Sequence, residues 1–103
     1  LGQSVFPSFL TLHENPFIKG GWASSCYDAE GVATTARDIV KDGVIQGYIL
    51  GSYSARKLGM ESTGNAGGIH NIEVKTPTLS FEKLLKKVGN GFLVTDVMGQ
   101  GVN

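Results

Sequence analysis

Arg37-Asp38-Ile39-Val40-Lys41-Asp42-Gly43-Val44-Ile45-Gln46-Gly47-Tyr48-Ile49-Leu50 is the stretch that decides the fold. Two β-rich runs flank Asp42-Gly43, a dipeptide suited to a two-residue turn in which both positions have φ > 0. The reading is a hairpin with strands over 34–41 and 44–50. Arg37 and Asp38 fall on opposite faces of the first strand, because side chains alternate along an extended chain. Gly47 marks a bulge or a close approach by another element.

Working outward, Ser8–Glu14 reads as a further strand, following Pro7. Its His13-Glu14 pair looks like half of a zinc-protease motif. That motif needs a second His on the same helix. Asn15-Pro16 follows instead, so no metal role is assigned to His13. The loop 19–31 carries Trp22 and Tyr27, expected to cover edges of the core. Asp28 and Glu30 suit either a hard cation or a turn in which Asp28 accepts backbone N–H bonds. Cys26 has no sequence neighbour that would activate it.

Ser52–Gly59 reads as a short helix, with Ser52 at the N-cap and Gly59 just past the end. It leads into Ser62-Thr63-Gly64-Asn65-Ala66-Gly67-Gly68-Ile69-His70-Asn71-Ile72-Glu73-Val74. The first half is small and polar; the second half becomes a strand that Pro77 ends. This stretch is either a tight change of direction or a segment offering its backbone to a ligand such as a peptide. It is not a phosphate loop, which needs Gly-Lys-Ser/Thr opening a helix. Ser80 caps a second helix, with Glu82 in its first turn, Lys86 and Lys87 in its last, and an apolar face of Phe81, Leu84, Leu85 and Val88. Phe92–Met98 reads as a final strand.

The expected class is α+β: a mostly antiparallel sheet with one or two short helices packed on it, part of a larger strand-rich domain. At 103 residues the chain has room for one modest core. Nine basic residues balance nine acidic ones. That neutrality speaks against a direct nucleic-acid partner, which would need a basic footprint. No apolar run is long enough to span a membrane. A single cysteine fits a reducing compartment and a cytoplasmic protein. The start at Leu1 and the stop just after a strand candidate imply a piece of a longer protein. A sheet cut after Val97 would leave an edge open to self-association.

The runs Tyr53-Ser54-Ala55-Arg56-Lys57-Leu58-Gly59 and Ser62–Asn71 resemble the TldD/PmbA family, once called modulators of DNA gyrase. So do Asp28-Ala29-Glu30-Gly31-Val32, Arg37–Gly43 and Thr95–Val102. The similarity is greatest to the PmbA (TldE) branch and covers nearly the whole chain. It implies that residues 1–103 are a fragment of the C-terminal domain of a metallopeptidase component that processes peptides. In that family, zinc is held by a His-Glu-x-x-x-His helix and a late cysteine of the TldD-type subunit. The resemblance therefore implies no catalytic and no metal-binding residue here, and no cofactor in this fragment, with zinc belonging to the partner or full-length member. The implied partners are a peptide substrate and a TldD-like subunit, in a heterodimer or a homodimer. Thr63, Asn65, Ile69 and His70 are the implied substrate-binding residues, on a segment that pairs with the peptide backbone. The alternative function is a non-enzymatic regulatory or protein-binding module, for instance one acting on DNA gyrase.

Overall fold

The computed structural model describes residues 1–99. The chain runs β1 (Thr11–Glu14), β2 (Arg37–Lys41), β3 (Val44–Ile45), α1 (Ser52–Leu58), β4 (Ile72–Lys75) and α2 (Phe81–Val88). The strands form one sheet in the order β3-β2-β1-β4, with every pairing antiparallel. The class is α+β, as expected.

The hairpin closes as its residues dictate. Asp42 and Gly43 both take positive φ, 49° and 78°, matching the right-handed twist of the strands they join. Gly43 also lies against the backbone carbonyls of Phe6 and Pro7, where a Cβ has no room. The outer edge of β3 is covered by the N-terminal segment. Gly2 donates to Ile45 O at 2.8 Å, and Ile45 donates to Gln3 O at 3.1 Å. Beyond β1, β4 forms the other edge, and among the described residues no strand pairs with its outer side.

Cross-strand partners share a face. Glu14, Arg37 and Ile72 align in one row, and His13, Asp38 and Glu73 in the next. A register shift between Leu12 and His13 places Ile39 as an extra residue in β2, which bends the strand locally. The buried apolar core is small: Val40, Leu50 and Ala55. Glu14 and Pro16 are the largest fully buried side chains.

Several elements depart from the sequence reading, each for a definable reason. β1 begins at Thr11, not Ser8, because Leu10 N–H turns back to Pro7 O. β2 begins at Arg37: Thr34 is occupied by Cys26 O and Ser25 O instead of a ladder. β3 stops at Ile45. The Arg37 guanidinium approaches Gly47 closely and donates to Tyr48 O at 2.8 Å. Leu50 N–H donates to Thr63 Oγ1 at 2.8 Å. Side chains thus satisfy backbone that a longer hairpin would have paired.

Helix α1 is capped at Gly51, not Ser52, with no side-chain cap from its own end. The Glu30 carboxylate supplies one from a distance, accepting from Ser52 N–H at 2.9 Å. Gly59 follows the helix in the left-handed conformation, as expected. In α2, Ser80 caps Lys83 N–H as the sequence predicted. Its apolar face does not pack on the sheet: Phe81, Leu84, Leu85 and Val88 are all exposed. Residues 92–98 form no strand. Among the described residues no partner strand lies beside them, and an extended segment gains little without a ladder. Among the described residues the unpaired edge of the sheet is therefore β4, not a strand ending at Val97. Residues 100–103, the end of the last run quoted above, lie outside the described residues. Trp22 and Tyr27 cover no core edge and are both exposed.

Candidate functional site

The sheet and the glycine-rich segment meet at one buried carboxylate. Glu14, the last residue of β1, is 1% exposed. Its Oε1 accepts from Asn65 Nδ2 at 2.6 Å, His70 N–H at 2.9 Å and His70 Nδ1 at 3.0 Å. Its Oε2 accepts from Arg37 Nε at 3.2 Å. A carboxylate facing Nδ1 places the imidazole proton on that nitrogen. Burial by itself would raise the Glu14 carboxyl; the hydrogen bonds from His70 and Asn65 and the Arg37 charge outweigh it and hold it below the ordinary range. Glu14 is therefore ionised at neutral pH.

Asn65 extends the network to full capacity. Its Oδ1 accepts from Arg37 Nη2 at 2.9 Å and the Thr63 hydroxyl at 2.7 Å. Its Nδ2 also reaches Gly68 O at 3.3 Å. No buried side-chain N or O atom among the described residues lacks a partner.

A second carboxylate pins the same segment from the other side. Asp28 Oδ1 accepts from Glu30 and Val32 N–H, both at 2.9 Å, and Oδ2 accepts from Ala66 N–H at 2.9 Å. Ala29 N–H returns to Ala66 O at 3.0 Å. Some burial opposes the shift, but the N–H groups of Ala66, Val32 and Glu30 hold the Asp28 carboxyl below its ordinary value. The turn reading of Asp28 stands and the cation reading falls, since these oxygens and Glu30 Oε2 are committed to backbone N–H groups. Gly64 shows why the segment must be small: φ is +71°, and a Cβ there would lie 2.5 Å from Ala33 O.

The four residues expected to face a substrate do not share one surface. Asn65 is buried and Thr63 is turned inward onto Asn65 and Leu50. The His70 side chain is 11% exposed and locked to Glu14. Ile69 is exposed. Thr63, Asn65 and His70 thus act as the struts that position the segment, and what it can offer outward is backbone. His13 pairs with Asp38 across the strands at 2.7 Å. Among the described residues no three His, Cys, Asp or Glu side chains are placed to hold a metal ion. Cys26 is exposed.

Sequence reasoning passed over Glu14 and Arg37 as the centre of this cluster. Glu14 was legible only as half of a metal motif. Its partners lie 23, 51 and 56 positions away, so no spacing pattern joins them.

The segment leads directly into β4. Asn15 N–H donates to Asn71 O at 2.9 Å, making Asn15–Asn71 a hydrogen-bonded pair. By antiparallel alternation His13–Glu73 is the next, whereas Glu14–Ile72 and Leu12–Val74 are not. Ile72 and Val74 therefore aim N–H and C=O at the open side of the sheet.

The family described as PmbA/TldA metallopeptidase C-terminal domain matches residues 1–103. The chain belongs to the PmbA/TldD family. It is 52% identical over 103 residues to metalloprotease PmbA of Escherichia coli O157:H7, covering all of this chain and 23% of that protein. Among solved structures, TldE from Thermococcus kodakarensis matches with a TM-score of 0.65 at 27% identity, over 82% of this chain and 22% of that one. A proposed modulator of a DNA gyrase from Thermotoga maritima matches with a TM-score of 0.69 at 35% identity, over 84% and 21%. The chain thus spans about a quarter of the length of its PmbA/TldD relatives. No helix among the described residues is long and apolar enough to cross a membrane.

Proposed function

We propose that this chain is part of the C-terminal domain of a PmbA-like component of a peptide-processing metallopeptidase. It supplies a substrate-facing β-edge and not the zinc site. The observation that carries this reading is the open side of β4, reached through a segment whose side chains are small or turned inward. An extended peptide can add there as a fifth strand. Main-chain hydrogen bonds to Ile72 and Val74 would give affinity, and the bare segment at 63–68 would give access. Thr63, Asn65 and His70 serve that edge by holding it in place, and Ile69 by contact.

The relatives' names support a peptidase context. Zinc and the hydrolytic step then belong to a TldD-like partner subunit in a heterodimer, or to other parts of the full-length protein in a homodimer. A cytoplasmic location accords with the free cysteine. The test is hydrogen exchange on the full-length protein with and without an extended, uncleaved peptide. Slower exchange at the Ile72 and Val74 amides is expected on binding. Unchanged exchange there, with the peptide bound, would sink the reading.

A further inference from the structure

An asparagine followed by glycine carries chemistry of its own. A backbone nitrogen that is free to turn onto the preceding Asn side chain can attack its amide carbon, and Gly leaves that approach clear because it has no Cβ. The described residues hold four asparagines, and three of them are disarmed. Asn15 precedes Pro16, which has no N–H to give up. Asn65 is buried, and its amide is committed to Glu14, Gly68, Arg37 and Thr63. Asn71 precedes the β-branched Ile72, and its amide is held by Asn15 O, Ser24 Oγ and Ala23 N–H. The hairpin pair Asp42-Gly43 is locked as well, since Gly43 N–H donates to Leu10 O at 2.8 Å. Asn90 differs on every count. It precedes Gly91, just past the end of α2. The last bond of that helix is Gly89 N–H to Leu85 O at 3.1 Å. Beyond it, among the described residues, neither the Asn90 side chain nor Gly91 N–H has a hydrogen-bond partner.

We propose that Asn90 is a self-modifying site, which the chain's own backbone converts to aspartate and isoaspartate. The Gly91 nitrogen, having lost its proton to hydroxide or buffer base, attacks Asn90 Cγ. A Cγ–N bond forms, the Cγ–Nδ2 bond breaks, and the side-chain nitrogen leaves as ammonia. The product is a five-membered succinimide. Water then opens the ring. Addition at Cγ gives aspartate, and addition at the main-chain carbonyl gives isoaspartate. The net change is water consumed and ammonia released, with nothing oxidised or reduced. It adds one negative charge to a chain whose charges balance, beside Lys86 and Lys87 in the last turn of α2. Isoaspartate also lengthens the main chain by a methylene, at the junction between α2 and the apolar run that starts at Phe92.

The test is peptide mapping by mass spectrometry of the native full-length protein, incubated at mildly alkaline pH and sampled over time. Asn90 should convert to the acid, as both aspartate and isoaspartate, while Asn15, Asn65 and Asn71 stay intact. Gly91→Ala should slow the conversion about tenfold, because a Cβ crowds the attacking nitrogen. Gly91 does not take positive φ, and the contact its Cβ would meet is the Val88 side chain, so the backbone accepts the change. Asn90→Gln should remove the reaction at this position, since its ring would need six members. In urea Asn65 and Asn71 should begin to convert as their hydrogen bonds are lost, with Asn90 still the fastest. An Asn90 that stays intact in the native protein overturns the assignment. So does an unchanged rate in Gly91→Ala, or aspartate formed with no isoaspartate, which would mean direct hydrolysis by water and not attack by Gly91. Unchanged far-ultraviolet circular dichroism of each variant shows that it is folded.

Discussion

Glu14→Gln is the most informative single change, because it keeps the shape of the side chain and alters only what its two heteroatoms can accept. At Oε1 three donors converge, from Asn65 and from the ring and backbone of His70. The Gln carbonyl must therefore take that position, since an amide NH₂ there would face three donors. The NH₂ group is then driven onto Arg37 Nε, donor against donor, where the wild type has a charge-assisted bond at 3.2 Å. Breaking a buried ion pair costs about 3–5 kcal/mol. Arg37 keeps Tyr48 O and Asn65 Oδ1 as acceptors and its side chain is 20% exposed, so the lower end applies, about 3 kcal/mol. In urea that is a fall in midpoint of about 1–3 M at unchanged slope. The assay is denaturation of the 103-residue chain followed by far-ultraviolet circular dichroism. A double-mutant cycle with Arg37→Gln should return a coupling of about 1–3 kcal/mol. A loss for Glu14→Gln below about 0.5 kcal/mol, the range of ordinary surface changes, would refute the claim that this carboxylate ties the segment to the sheet.

Acid should destabilise the fold with a defined sign. Glu14, Asp28 and Glu30 all sit below their ordinary values of 4.5, 3.8 and 4.5, so their contribution is complete above those values and is lost as pH falls through the lower folded ones. Denaturation midpoints should therefore decline below about pH 4.5, and Glu14→Gln should flatten that decline; a parallel pH profile in the variant would count against the assignment. Gly64→Ala should cost about 1–3 kcal/mol through positive φ and the collision with Ala33 O, measurable in the same urea experiment. An effect as small as that of Ala at Gly20, where nothing lies within 4 Å, would show that close packing at Gly64 does not matter.

Local pattern was most readable where neighbours in sequence decide the structure. Asp42-Gly43 announced its turn because the required φ signs are properties of those two residues. Ser80 and Gly59 announced helix ends for the same reason, and Asp28 its own turn. Reading failed where a distant group took over. β3 is short because Arg37 and Thr63 claim the backbone beyond Ile45, and α1 lacks a local cap because Glu30 provides one. Residues 92–98 have strand composition but, among the described residues, no neighbouring strand. The site followed the same rule. Thr63, Asn65, Ile69 and His70 are implied as substrate-binding by the family resemblance; only the structure places the side chains of Thr63, Asn65 and His70 on one another, Glu14 and Arg37.

By itself, the sequence determined the β-hairpin, both helices, the α+β class and, through its long matching runs, the family. Those are short-range or composition-level properties carried by consecutive residues. Tertiary structure alone decided that Glu14, not a glycine or a histidine, is the centre, and that β4 is the sheet edge left unpaired among the described residues. Both follow from which polar groups must share a buried carboxylate and which strands pair across the sheet. Neither is a property of any one stretch of chain.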